Sequence, residues 1–260
     1  MARNSKGGPR QPDMTKGGRS SNPSGRGLTE RVKTAGKRSV SSTRWLQRQL
    51  NDPYVAEAKK RGFRSRAAFK LLQLDERFHF LKPGARVVDL GAAPGGWTQV
   101  AGDVVLKAAK GQPKGKVIGI DILEMDPVPG AEILHLDFMS DEAPDKLKAL
   151  LDGEADVVLS DMAASATGHQ QTDHLKIMAL AETAYAFAAE VLAPGGTFIA
   201  KVLQGGATGD LLKELKRDFE EVRHVKPAAS RKDSAEIYVV ALSFRGSGGN
   251  RPRTGPDSQI

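Results

Sequence analysis

The chain has 260 residues, of which 39% are hydrophobic, enough for one substantial core with appendages. It has no cysteine, which excludes disulfides and thiolate metal sites, and its five histidines show no metal-ligand spacing, so no metal is expected. The net charge of +8 is unevenly placed: residues 1–44 carry eleven Lys/Arg against Asp13 and Glu30, a net +9, and the other 216 residues come to −1.

Residues 1–41 are dense in Gly, Ser and Pro with hardly any large apolar side chain, so burial cannot offset their ordering entropy. They are predicted to form a disordered basic arm, suited to phosphate contacts on nucleic acid, with a solubilising tail as the other reading. Its glycines and lack of an amphipathic pattern argue against a mitochondrial transit peptide. Residues 42–245 are predicted to fold, and GSGGNRPRTGPDSQI (246–260) is a second disordered tail. No apolar run approaches bilayer length, so no membrane is expected and a cytoplasmic monomer is the simplest form.

Within the folded part, segment 45–81 comes first, and DPYVAEAKKRGFRSRAAFKLLQLDERFHFL (52–81) reads as two helices broken at Gly62. Lys59, Lys60, Arg61, Arg64, Arg66 and Lys70 border an apolar stripe there, a candidate RNA-facing surface. After Pro83-Gly84 the chain alternates: a strand at 85–91, a helix from Trp97 to Ala109, strands at 116–122 and 131–137, a helix near 143–151 and a strand at 155–162. A long helix near 173–192, a strand at 194–203 and a helix near 209–217 follow, then strands near 219–225 and 236–244. Strands apolar on both faces and separated by helices predict an α/β fold, a mostly parallel seven-stranded sheet covered on both sides. The last two strands lack a crossover helix, so one of them should run reversed.

In such a sheet, ligands sit beyond the carboxyl ends of the strands. The first strand ends in GAAPGGW (91–97), whose glycines allow close backbone approach to a ligand but whose Pro94 removes a donor that a pyrophosphate would use. Asp121 and Asp137 end the next two strands, where carboxylates can accept from ribose hydroxyls and an adenine amino group. Together these suit a nucleoside cofactor better than a nicotinamide dinucleotide. Asp161 ends the fourth strand, and Glu236 opens the last. In FIAKVL (198–203), Lys201 sits in an otherwise buried strand, where an ammonium is costly unless compensated.

Four segments, RWLQRQLNDPYVAEAKKRGFRSRAAFKLLQLDERF, VVDLGAAPGGWTQVA, LSDMA and LAPGGTFIAKVLQG, closely resemble the FtsJ/RlmE ribosomal RNA 2′-O-methyltransferases, from about Ser42 to Phe244. The resemblance implies a class I methyltransferase (Rossmann-like) fold, S-adenosylmethionine as cofactor and S-adenosylhomocysteine as product. It implies a catalytic tetrad on Lys70, Asp161, Lys201 and Glu236, and cofactor contacts on Gly95, Trp97, Asp121, Asp137 and Asp161. The implied substrate is a uridine 2′-hydroxyl in the A-loop of large-subunit rRNA, in the assembled subunit. Lys201 is then the base, or a cation that steers the hydroxyl, with Lys70 and Glu236 orienting it and Asp161 positioning Lys201. The chain departs from the family at Ala164-Ser165 and over 205–210, loops that bear on nucleotide choice. A non-catalytic RNA-binding assembly module, or a tRNA or mRNA-cap methyltransferase, are the alternatives.

Overall fold

The computed structural model describes residues 30–32, 34, 36, 39–107, 111, 114–164, 167–204 and 209–246. Of the arm expected to be disordered over 1–41, residues 1–29, 33, 35, 37 and 38 lie outside the described residues, as do the tail beyond 246, Ser165, loop 205–208 and the predicted helix end at 108–109; the last two residues of the arm instead open the helix Val40–Leu50. The chain divides into two compact units, Met1–Pro53 and Tyr54–Ile260. In the first, α1 (Val40–Leu50) starts at Ser39, whose hydroxyl accepts the Ser42 N–H, and Gln47 and Asn51 side chains donate to the Glu30 carbonyl.

The second unit holds a seven-stranded sheet in the order β3-β2-β1-β4-β5-β7-β6. Its strands are β1 (Arg86–Leu90), β2 (Lys116–Asp121), β3 (Glu132–His135), β4 (Ala155–Ser160), β5 (Leu192–Leu203), β6 (Phe219–Val225) and β7 (Glu236–Phe244). Among these, β7 runs antiparallel to both β5 and β6, and the remaining pairs are parallel. Strand order reverses between β1 and β4, which opens a crevice at their carboxyl ends.

Side-chain alternation assigns each face of the sheet its own helices. Val88, Leu90, Ile118, Ile120, Val158 and Phe198 pack with α5 (Ala143–Leu151), α6 (Gln170–Val191) and α7 (Gly209–Asp218). Val87, Val117, Val157, Leu159, Ile199 and Val240 pack with α3 (Ala68–Phe78) and α4 (Gly96–Val105). Each such buried aliphatic or aromatic side chain contributes roughly 1.5–3 kcal/mol, which is why both faces read as apolar in the sequence. α2 (Pro53–Arg61) adds Ala58 and Tyr54 to a small cluster with Phe69. Among the described residues no helix is long and apolar enough to cross a membrane.

Two helix boundaries differ from the periodicity. α4 stops at Val105, earlier than predicted, because the Val105 carbonyl accepts the Gly84 N–H at 2.9 Å and Gly115 lies against the same oxygen, where a Cβ would come within 2.1 Å. α6 starts earlier, at Gln170, where the Asp173 carboxylate accepts the N–H groups of Thr167 and Gly168 ahead of the first turn.

Asp89 of β1 breaks the apolar pattern. It is fully buried; its Oδ2 accepts the Thr98 hydroxyl of α4 at 2.7 Å, while its Oδ1 has no hydrogen-bond partner. Burial, above all, pushes this carboxyl up to about 7, against the Thr98 hydrogen bond and with the charges of Asp161 and Asp121 adding to the rise. A raised carboxyl pKa means that the folded state keeps a proton that the unfolded chain loses near pH 4, so Asp89 costs stability as pH climbs from about 4 to about 7. Urea unfolding of wild type and Asp89→Asn should show the wild-type advantage shrinking between about pH 4 and about pH 7. A constant difference over that range would mean the carboxyl is ionised throughout.

Candidate active site

The sheet brings the site together through its register. Lys201 of β5 lies opposite Tyr238 of β7, and Leu203 lies opposite Glu236, so Lys201, Tyr238 and Glu236 share the face that carries Ile199. Ser160, the last residue of β4, pairs with Ala200, which places Asp161 just beyond it; the Asp161 N–H is held by the Leu90 carbonyl. Lys70 enters from the buried side of α3, whose Leu71 and Leu74 pack on the same face.

Four separate segments thus put two ammoniums, two carboxylates and a phenol in contact. Lys201 Nζ lies 2.9 Å from Asp161 Oδ1, donates to the Asp161 carbonyl at 2.8 Å and is 4.0 Å from Glu236 Oε1. Lys70 Nζ donates to Tyr238 Oη at 2.9 Å, and lies 3.4 Å from Glu236 Oε2 and 3.9 Å from Asp161 Oδ1. Tyr238 Oη in turn donates to Asp161 Oδ1 at 2.6 Å. The Lys201 side chain is 6% exposed and that of Glu236 34%, so the cluster opens to solvent on the Glu236 side. Burial works against the Asp161 carboxylate, but the Lys201 and Lys70 ammoniums and the hydrogen bonds outweigh it and hold this carboxyl below its usual range. Burial, then the Asp161 charge, raises the Tyr238 phenol well above its ordinary value, so it remains a donor.

Two cavities flank this cluster. One, of about 250 Å³, is lined by Gly91, Asp121, Asp137, Phe138, Asp161 and Met162, among others. The other, of about 930 Å³, is lined by Ala164, His174, Leu175, Gln204 and Glu236, among others. Ala163 lines both, so the Asp161–Ala163 segment is the wall between them. In the smaller cavity Asp121 accepts the Ala93 and Leu123 N–H groups on its two oxygens, at 2.9 and 2.8 Å, and Asp137 Oδ1 accepts the Met139 N–H at 2.9 Å. Each of these carboxylate oxygens keeps a further lone pair. Acceptors beside the apolar Ile120, Phe138 and Met162 suit the hydroxyl and amino donors and the flat ring of a nucleoside, and three carboxylates would repel a phosphate. Gly91 (φ +79°) has no room for a side chain there, since a Cβ would meet the Met162 backbone at 2.9 Å.

Of the residues singled out in the sequence, Lys70, Asp161, Lys201 and Glu236 come together, and Asp121, Asp137 and Asp161 line the smaller cavity. Gly95 and Trp97 are not among the residues that line it. The Trp97 indole donates to the Ala67 carbonyl and packs against Tyr238 in the core, leaving main chain as what these two residues can offer a ligand. The basic cluster divides. Arg64, expected to face RNA, instead donates to the carbonyls of Pro94, Asp126 and Pro127, latching the Gly-rich turn to the loop after β2. Arg66 likewise donates to the Ala229 carbonyl, and Lys70 is buried, which leaves Lys59, Lys60 and Arg61 facing out. Tyr238 is absent from the sequence reading, although its spacing of two from Glu236 already places both on one face of a strand. Among the described residues, no group of three His, Asp or Glu is arranged to hold a metal.

Residues 63–244 match the model of the FtsJ-like methyltransferase family. Over 222 residues the chain is 67% identical to the ribosomal RNA large subunit methyltransferase E of Paramagnetospirillum magneticum, covering 85% of this chain and 91% of that protein. A protein of the same name from Parvibaculum lavamentivorans is 62% identical over 248 residues, covering 90% of this chain and 96% of its own. Among solved structures, a ribosomal RNA methyltransferase from Plasmodium falciparum aligns with a TM-score of 0.61 at 34% identity, covering 71% of this chain and 100% of that one.

The charge balance of the cluster can be measured directly. Asp161→Ala leaves two buried ammoniums without their shared counter-charge and should destabilise the protein by about 3–5 kcal/mol in urea unfolding. Glu236→Ala removes a partly exposed carboxylate and should cost clearly less; equal losses would mean that solvent, not Asp161, neutralises the lysines.

Proposed function

The chain belongs to the FtsJ-like methyltransferase family, and on that premise we propose that it methylates a ribose 2′-hydroxyl of large-subunit rRNA, using S-adenosylmethionine. The observation that carries this reading is the buried Lys201, set at the wall between a cavity suited to a nucleoside cofactor and a larger one open to an acceptor. The acceptor implied by the family resemblance is a uridine of the A-loop, in the assembled subunit.

When bound, S-adenosylmethionine supplies an electrophilic methyl group on a sulfonium. On this reading Asp121 accepts from its ribose hydroxyls, Asp137 from its adenine amino group, and the main chain of Gly95 and Trp97 lies along the rest. Lys201, as an ammonium, has three N–H donors, and Asp161 takes two of them through its carboxylate and its carbonyl. The third turns to the acceptor hydroxyl and aims an oxygen lone pair in line with the methyl carbon. As a neutral amine, Lys201 instead takes the hydroxyl proton as the C–O bond forms. Lys70 and Glu236 orient the same hydroxyl, and Tyr238 keeps Asp161 in place. Lys59, Lys60 and Arg61, together with the arm, supply phosphate contacts to rRNA.

Wild-type protein should transfer labelled methyl groups to large subunits lacking the modification, and the modified nucleotide should resist alkaline cleavage, as only a blocked 2′-oxygen does. Label on a base instead of a ribose would overturn the proposal. Lys201→Ala should lower turnover by at least about a hundredfold. Lys201→Arg keeps the charge but cannot become neutral at working pH, so near-wild-type turnover with Arg excludes the base and leaves the steering cation.

Deleting residues 1–40 should weaken binding to large subunits and flatten its salt dependence, with S-adenosylhomocysteine affinity unchanged. An unaltered salt slope returns the arm to a solubilising role.

A further inference from the structure

The burial of the cluster constrains what can reach it. The Lys201 and Lys70 side chains are only 6% and 10% exposed, so an acceptor oxygen must descend into the cleft to meet Lys201. A nucleotide held in a continuous stack cannot do so, because its stacked neighbours and their phosphates would strike the rim first; it must leave the stack. This step rests on the rRNA reading above.

We propose that the cavity of about 930 Å³ receives the acceptor nucleoside after it leaves the stack, and that Leu175 is the apolar wedge that fills the space it vacates. The cavity lies within the range of about 300–1,000 Å³ typical of small-ligand pockets and is walled by Glu236 on the cluster side. Its polar lining residues Gln171, His174 and Gln204 offer donors and acceptors to the edge of a base.

Leu175 lines this cavity yet is 69% exposed, so it contributes little to the core. It stands in the second turn of the 22-residue α6, which is anchored further along by the buried Ala181, Ala184, Tyr185 and Ala188. An exposed apolar side chain on a rigid support, beside a cavity that leads to a buried reactive group, is the arrangement by which leucine enters a base step and unstacks it. A leucine has no polar atom, so it gains nothing from the water it faces and has an apolar base surface to gain.

The test uses large subunits reconstituted with an rRNA fragment spanning the acceptor, with 2-aminopurine beside it, and subunits reconstituted with a second fragment in which abasic nucleotides flank the acceptor. On wild-type binding the stacked fragment should brighten as 2-aminopurine loses its stacking; Leu175→Ala should bind without brightening. The kcat/KM of Leu175→Ala should drop at least about tenfold on the stacked fragment and recover most of that loss on the abasic one. Leu175→Phe should keep near-wild-type values on both. The melting temperature and S-adenosylhomocysteine affinity should not move. Brightening with Leu175→Ala equal to wild type, or an equal loss of activity on both fragments, overturns the wedge. Wild-type protein that methylates neither fragment overturns the rRNA reading itself, and the wedge with it.

Discussion

The neutralisation of two buried lysines by one shared carboxylate is the interaction on which the rest of the site depends. An isolated ammonium taken out of water costs several kcal/mol, and two side by side cost more than any single hydrogen bond returns. Asp161 meets both, Glu236 meets both from the open side, and Tyr238 bridges Lys70 to Asp161. This balance requires β7 to run against β5. Were β7 parallel, its first residue would lie at the opposite end of the sheet from Lys201, and Glu236 could not reach the cluster. The reversed strand is therefore what makes the burial of Lys201 tolerable as well as a feature of topology.

The same geometry divides the crevice in two. The Asp161–Ala163 segment leaves β4 against the Gly-rich turn, with Gly91 pressed on the Met162 backbone, so the wall between the cavities is positioned by main-chain packing. Arg64 ties that turn to the loop after β2, and its own backbone N–H is held by Gln99 of α4. The link between α2 and α3 is thus stitched to the turn, so the helix that carries Lys70 and the loops that line the smaller cavity form one packed body.

Much of this was legible in the sequence. Alternating strands and helices were readable because both sheet faces are buried, and the antiparallel pairing of the last two strands followed from a connection too short for a helix, though not which of the two is reversed. Lys201 stood out because an ammonium in an apolar strand has few structural explanations, and family motifs supplied Lys70, Asp161 and Glu236. What could not be read depends on tertiary partners. Tyr238 in EIYVVAL looks like an ordinary core aromatic until its hydroxyl meets Lys70 and Asp161. Arg64 and Arg66 look like part of a solvated charged face, and only the folded chain shows the carbonyls that take their donors. The end of α4 was hidden for the same reason, since it is set by Gly84 and Gly115 on neighbouring turns.

Lys201 is placed by main chain and faced by a side-chain carboxylate, and the two can be separated. Its Nζ donates to the backbone carbonyl of Asp161, whose own N–H is fixed on β1 by the Leu90 carbonyl, so the position of the amine follows the sheet even if the carboxylate is changed. The carboxylate sets the electrostatic setting of that position. Asp161→Asn keeps the carbonyl contact and an acceptor for Tyr238 while removing the negative charge, whereas truncation to Ala also opens a void. The difference between those two variants therefore isolates what the charge contributes to Lys201 from what geometry contributes, a distinction that substitution of Lys201 itself cannot draw.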